Sequence, residues 1–113
     1  MKLFVYVLNQ PEKLEEVLAA FVEIGITGAT VVDSVGMGRI IAQDVPIFAS
    51  FQSLLSASRP YNKTILSVID DDAKLDRALR LIEEICGAFG DAGAGIAFTL
   101  PIENAYGIKP EFT

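Results

Sequence analysis

Two glycine clusters are the parts of this chain best suited to holding a small molecule: Gly36-Met37-Gly38-Arg39, and the run containing Gly90, Gly93 and Gly95. Glycine has no Cβ, so the backbone beside it approaches an anion closely and adopts angles that other residues resist. A run of such amides can form an anion-binding nest without any side chain. Arg39 adds a planar cation with several donors, the geometry that suits a phosphate or carboxylate. The same glycines serve equally well as ordinary turns, so their position in the fold must decide between the two readings.

Other chemistries are poorly supplied. Histidine is absent, which removes the commonest general base and the commonest metal ligand. Cys86 is the single cysteine, so neither an internal disulfide nor a cysteine-rich metal site can form, and it reads as a small buried residue at a helix end. Asp70-Asp71-Asp72 stand before a helical pattern and read as a cap. Asp33 and Asp91 could meet magnesium carried by a nucleotide. No nucleophile is paired with an activating base, and the chain is expected not to be an enzyme. Nine basic against fifteen acidic residues give a net charge of -6, which argues against nucleic acid and anionic membrane as partners.

The clusters need elements to position them. Residues 2 to 8, KLFVYVL, form a continuous apolar run expected of a strand covered on both faces. Asn9 is the expected N-cap of a first helix, with Pro11 in its first turn and Glu12, Glu15 and Glu16 at the positive end of its dipole. Leu14, Val17, Leu18, Phe21 and Val22 recur at helical spacing until Gly25. A second strand is expected from about residue 29 to 34 and a third from 61 to 69. Asp70-Asp71-Asp72 then cap a helix whose Leu75, Leu79, Ile82 and Cys86 point inward, and Gly87 ends it. A fourth strand runs from Gly95 to Leu100.

Between the second and third strands lies an insertion, 36–60. Within it Asp44-Val45-Pro46 provide a helix start, and Ile47, Phe48, Phe51, Leu54 and Leu55 supply one apolar face. A short amphipathic helix is expected there, docking on a partner protein or folding back on its own assembly.

The order βαβ, insertion, βαβ predicts an α+β fold: a ferredoxin-like split βαβ sandwich (βαββαβ) in one domain over 1–113. Apolar residues make up 51% of the chain, and a sheet with both helices on one side leaves an apolar face to bury. That face is the physical reason to expect an oligomer. No apolar run approaches the roughly 20 residues of a membrane span. Met1 leads directly into strand-like sequence without a signal peptide, so a cytoplasmic location is expected.

Four patches together resemble the PII family of trimeric nitrogen-signalling proteins: Lys2 to Leu8 with Asn9-Gln10-Pro11-Glu12, the run Gly25 to Val32, Gly36-Met37-Gly38-Arg39, and Gly90 to Gly95. The resemblance implies a homotrimer whose sheets face a threefold axis and whose ligands sit in clefts between subunits. Each cleft would be built from the base of a T-loop after the second strand and a glycine-rich B-loop before the fourth, closed by the neighbour's C-terminal segment. ATP, ADP and 2-oxoglutarate are the effectors typical of the family.

In that alignment Met37 replaces an aromatic residue, and Gly90, Gly93 and Gly95 match the GxxGxG of the B-loop. Ala94 stands in place of an acidic residue and Ile96 in place of a lysine. Gly107 and Lys109 occupy the positions of two arginines, and Lys63 is a further cation beside the cleft. Tyr6, Tyr61 and Tyr106 all lie outside the insertion, so regulation by tyrosine uridylylation or adenylylation is not expected.

The implied function is a regulator that senses a small molecule, with ATP, ADP or AMP as candidates, and acts on an unidentified target protein through the loop at 40–60. A less charged nucleotide or another small anion fits the same glycine turns. The alternatives are a CutA-like trimer linked to divalent metals, which the lack of histidine disfavours, and a structural module that has lost the ligand.

Overall fold

The computed structural model describes residues 1–37, 61–91 and 94–108. Strand β1, Lys2–Leu8, leads into a 3-10 turn at Pro11–Lys13 and then helix α1, Leu14–Glu23. Asn9 is not the cap expected from the sequence. Pro11 opens a 3-10 turn one residue later, closed by the Lys13 amide donating to the Gln10 carbonyl at 2.8 Å. The Gln10 side chain instead donates to the Cys86 carbonyl at 2.7 Å, satisfying a terminal carbonyl of the second helix.

Helix α1 stops for a specific reason. The Gly25 amide donates to the Val22 carbonyl and the Ile26 amide to the Phe21 carbonyl, the paired bonds of a Schellman end. The motif requires a left-handed residue, and Gly25 supplies it at φ +92°. Ile26 then folds into the core with Phe21. Val22, grouped with the inward residues on spacing alone, is 60% exposed because it lies off the face that meets the sheet.

Strand β2 is Thr30–Val35 and β3 is Tyr61–Ile69. Helix α2, Asp72–Cys86, begins as the sequence requires, with an Asp71 carboxylate oxygen accepting from the Ala73 amide at 2.8 Å. Strand β4 is Ile96–Pro101. The expected helix beginning at Pro46, with Ile47, Phe48, Phe51, Leu54 and Leu55, lies outside the described residues.

The sheet order is β2-β3-β1-β4, with every neighbouring pair antiparallel. This is the split βαβ arrangement: β1 and β2 run parallel with β3 inserted between them. One face carries both helices. Phe4, Tyr6 and Leu8 from β1 and Ile65 and Ile69 from β3 meet Val17 and Phe21 of α1 and Leu75, Ala78, Ile82 and Cys86 of α2. Ser67, on the same face, is buried because its hydroxyl donates to the Gly28 carbonyl at 2.6 Å.

The opposite face takes the alternate residues. Val5 sits at its centre between Leu66 and Phe98, and Val32, Ile96, Phe98 and Leu100 are exposed along the two outer strands. Among the described residues no helix covers this face. It is apolar over β1 and β4 and turns polar at one corner, where the Ser34 hydroxyl hydrogen-bonds with both the Asn62 side chain and the Thr64 hydroxyl.

Candidate functional site

Strand register brings the sequence-distant candidates to one end of the sheet. Leu8 pairs with Lys63, Lys63 pairs with Asp33, and Val7 pairs with Ile96. The C-terminal ends of β1 and β2 and the N-terminal ends of β3 and β4 therefore share that edge. Gly36 and Met37 leave it from β2, Lys63 stands near it on β3, and the glycine run enters it just before β4. Gly36 is half-buried, whereas Met37 is 72% exposed where the resemblance had an aromatic residue. Gly38, Arg39, Gly93 and Lys109 lie outside the described residues.

The two glycine clusters are at opposite edges of this end. β2 and β4 are the outermost strands, separated by three strand spacings of about 4.8 Å, or about 14 Å in all. One copy of the chain thus keeps the two clusters apart.

The run before β4 is held tightly. After α2, the Gly87 amide donates to the Glu83 carbonyl at 3.0 Å and the Phe89 amide to a Glu83 carboxylate oxygen at 3.3 Å. Two short turns follow, Asp91 amide to Ala88 carbonyl at 3.1 Å and Ala94 amide to Asp91 carbonyl at 3.3 Å. Gly95 then passes against β1 so closely that a Cβ built on it would stand 2.1 Å from the Val7 carbonyl oxygen, at φ +94°. No side chain fits there without moving the backbone.

The amides of Phe89, Asp91 and Ala94 are consumed by these internal bonds. Among the described residues no carbonyl partner is found for the amides of Gly90 and Gly95, which makes them the candidates in this loop for meeting an anion.

Sequence reasoning missed the residue that anchors this loop. Tyr6 is fully buried on β1, and its hydroxyl donates to the Ala94 carbonyl at 2.7 Å. Burial, with Cys86 beside it, raises its hydroxyl pKa well above the ordinary tyrosine value. The signal was present in the strand pattern, since alternation places Tyr6 on the helix side with Phe4 and Leu8, and a buried tyrosine hydroxyl needs a partner. Cys86 itself is buried at the helix end, as its bland reading required.

The Lys63 ammonium is paired with the Asp33 carboxylate across β2 and β3, so part of its charge is already answered. Ile96, in place of a lysine, points to the open sheet face and is 62% exposed. Among the described residues no cluster of His, Cys, Asp and Glu is arranged to hold a metal ion, and no helix is long and apolar enough to cross a membrane.

A sheet of this order, with glycines after β2 and a glycine run before β4, defines a ferredoxin-like scaffold with both glycine clusters at one end. The sequence model of "Nitrogen regulatory protein P-II" matches residues 1–111, and the chain belongs to that family. It is similar to "Nitrogen fixation nifHD region GlnB-like protein 1" of Methanothermobacter marburgensis, 32% identical over 100 residues that cover 88% of this chain and 87% of that protein. The chain is therefore a PII-like regulatory protein, and the resemblance read from the glycine clusters is borne out at the level of the family.

Proposed function

We propose that this chain is a non-enzymatic sensor of an adenine nucleotide, which it binds in clefts between the subunits of a homotrimer. The observation that carries the reading is the placement of the two glycine clusters: the same end of the sheet, opposite edges, about 14 Å apart. A neighbouring copy brings the β2 edge of one chain to the β4 edge of another and joins the half-sites. The apolar face over Val5, Ile96, Phe98 and Leu100 gives the copies a reason to associate.

In the joined cleft Gly36 and Gly38 let the backbone approach the ligand, and the amides about Gly90, Gly93 and Gly95 receive phosphate oxygens. Arg39, Lys63 and Lys109 supply cations. With Lys63 shared by Asp33 and no lysine at position 96, the site favours a nucleotide of low charge, AMP or ADP over ATP. The bound state is passed through the segment 40–60 to a target protein, which meets Ile47, Phe48, Phe51, Leu54 and Leu55. Cytoplasmic operation accords with these ligands.

Light scattering and calorimetric titration with AMP, ADP and ATP test the proposal. A trimer that binds at least one of them at micromolar to millimolar concentration is the expected result. A monomer would remove the basis for shared clefts. A trimer that binds none of the three would favour a ligand-free structural module, a reading that the Asp33–Lys63 pairing supports.

A further inference from the structure

We infer that Tyr6 is the positioning residue of the glycine loop: one buried side chain, reaching from the inner strand β1, holds Phe89 at the start of the loop and Ala94 and Gly95 at its end in the placement that receives the ligand. The ligand half of this inference rests on the nucleotide reading above, whereas the loop half rests on geometry alone.

Tyr6 touches the loop at both of its ends. Its ring meets that of Phe89 edge-on, with centroids 6.1 Å apart and planes at 86°. Its hydroxyl donates to the carbonyl of Ala94, a residue only 1% exposed, at 2.7 Å. Its ring carbon Cε1 lies 3.3 Å from the place where a Cβ on Gly95 would stand, so the ring also forms one wall of the close passage.

Among the described residues the other hydrogen bonds of 88–94 are local, running between Glu83 and Phe89, Ala88 and Asp91, and Asp91 and Ala94. Local turns fix the shape of a segment but leave it free to swing as a unit about its ends. The Tyr6 bond spans 88 positions of sequence and ties the segment to β1. β1 is paired on both sides, by β3 and β4, which makes it a stiff anchor.

A polar tie made away from water is strong, and removing one partner leaves the other buried and unsatisfied. Phenylalanine at position 6 would keep the ring contacts with Phe89 and Gly95 and delete only the tie to Ala94. The amides of Gly90 and Gly95, for which no partner is found among the described residues, stand on either side of that tie, and their direction is what a phosphate would read.

The test is Tyr6→Phe in the full chain, with Ile82→Val as a control that weakens the core through α2 and leaves the hydroxyl tie in place. Hydrogen exchange should show the amides of 90–95 in Tyr6→Phe exchanging about tenfold faster, while those of β1, β3 and α2 keep their wild-type protection. Calorimetry should show the nucleotide that wild type binds best held about tenfold more weakly by Tyr6→Phe and equally well by Ile82→Val.

Wild-type loop exchange together with wild-type affinity in Tyr6→Phe would overturn the inference. So would equal loss of affinity in both variants, since that would mark a general effect of stability. If wild type binds none of the three nucleotides, the functional reading and the ligand half fall together, and the exchange data still decide whether Tyr6 holds the loop. Should Tyr6→Phe not fold, Phe89→Leu tests the other contact of the same side chain, keeping the hydroxyl tie and removing the ring pair, and wild-type loop exchange in that variant would overturn the inference.

Discussion

Three glycines of this chain separate backbone strain from steric clash, and alanine at each gives the sharpest test of the loop geometry. At Gly28 φ is ordinary and nothing stands within 4 Å of a new Cβ. At Gly90 the space is equally open, but φ is +97°. At Gly95 φ is +94° and the new Cβ would meet the Val7 carbonyl oxygen at 2.1 Å, where real Cβ contacts stay beyond 3.0 Å. Val7 is paired with Thr64 on one side and Ile96 on the other, so it cannot retreat without opening the ladder.

Gly28→Ala should fall within about 0.5 kcal/mol of wild type, with any gain coming from a stiffer unfolded chain. Gly90→Ala should lose about 1–2 kcal/mol to the left-handed conformation. Gly95→Ala carries that strain and an overpacking term of about 1–3 kcal/mol, so about 2–5 kcal/mol in all. For a chain of this size each kcal/mol moves Tm by about 4 °C, which predicts drops of about 4–8 °C for Gly90→Ala and about 8–20 °C for Gly95→Ala. Thermal melts must be compared at one protomer concentration, because assembly shifts Tm by mass action. Equal drops for Gly90→Ala and Gly95→Ala would refute the close passage at Val7, and a comparable drop for Gly28→Ala would refute the use of φ altogether.

Phe98→Glu places a charge in the exposed apolar face and should convert the proposed trimer to monomer in light scattering; an intact oligomer would show that this face is not the interface. Asp33→Asn should leave stability within about 1 kcal/mol, because the Asp33 side chain is 84% exposed, yet strengthen nucleotide binding severalfold by releasing Lys63; unchanged affinity in a titration would take Lys63 out of the site. Asp71→Ala should cost about 1 kcal/mol in urea unfolding by removing the acceptor of the Ala73 amide, with Asp71→Asn close to wild type; equal losses in the two would argue against the cap. Alkaline pH should also discriminate. The native hydroxyl of Tyr6 has its pKa raised above the unfolded value of about 10, so its contribution is complete below that pH and is lost as pH rises past it, at up to about 1.4 kcal/mol per pH unit. Tyr6→Phe should show a shallower decline above about pH 10 than wild type, and parallel declines would contradict a buried, neutral phenol.

Much of the scaffold was legible because it is local. β-branched and aromatic runs marked β1 and β3, the aspartates before α2 announced a cap that Asp71 makes, and Gly25 and Gly87 stood where the helices end. Each of those signals acts over a few residues and needs no partner elsewhere. The places where the reading slipped are those where a distant group intervened. Gln10 turned to the Cys86 carbonyl and Asn9 did not cap, and Val22 followed the helical period yet faced away from the sheet.

By itself the sequence determined the element order, the split βαβ class and the family, because strand and helix periodicities and glycine positions are written in consecutive residues. It also identified Gly36, Lys63, Gly90 and Gly95 as candidates. Only the tertiary structure decided how they relate: that register puts both glycine clusters at one end but on opposite edges, that Lys63 is engaged by Asp33, and that a tyrosine from β1 grips the loop before β4. The physical reason is that strand pairing and side-chain ties between residues as far apart as Tyr6 and Ala94 depend on which surfaces are left to bury once the local elements have formed, and no short stretch of chain carries that choice.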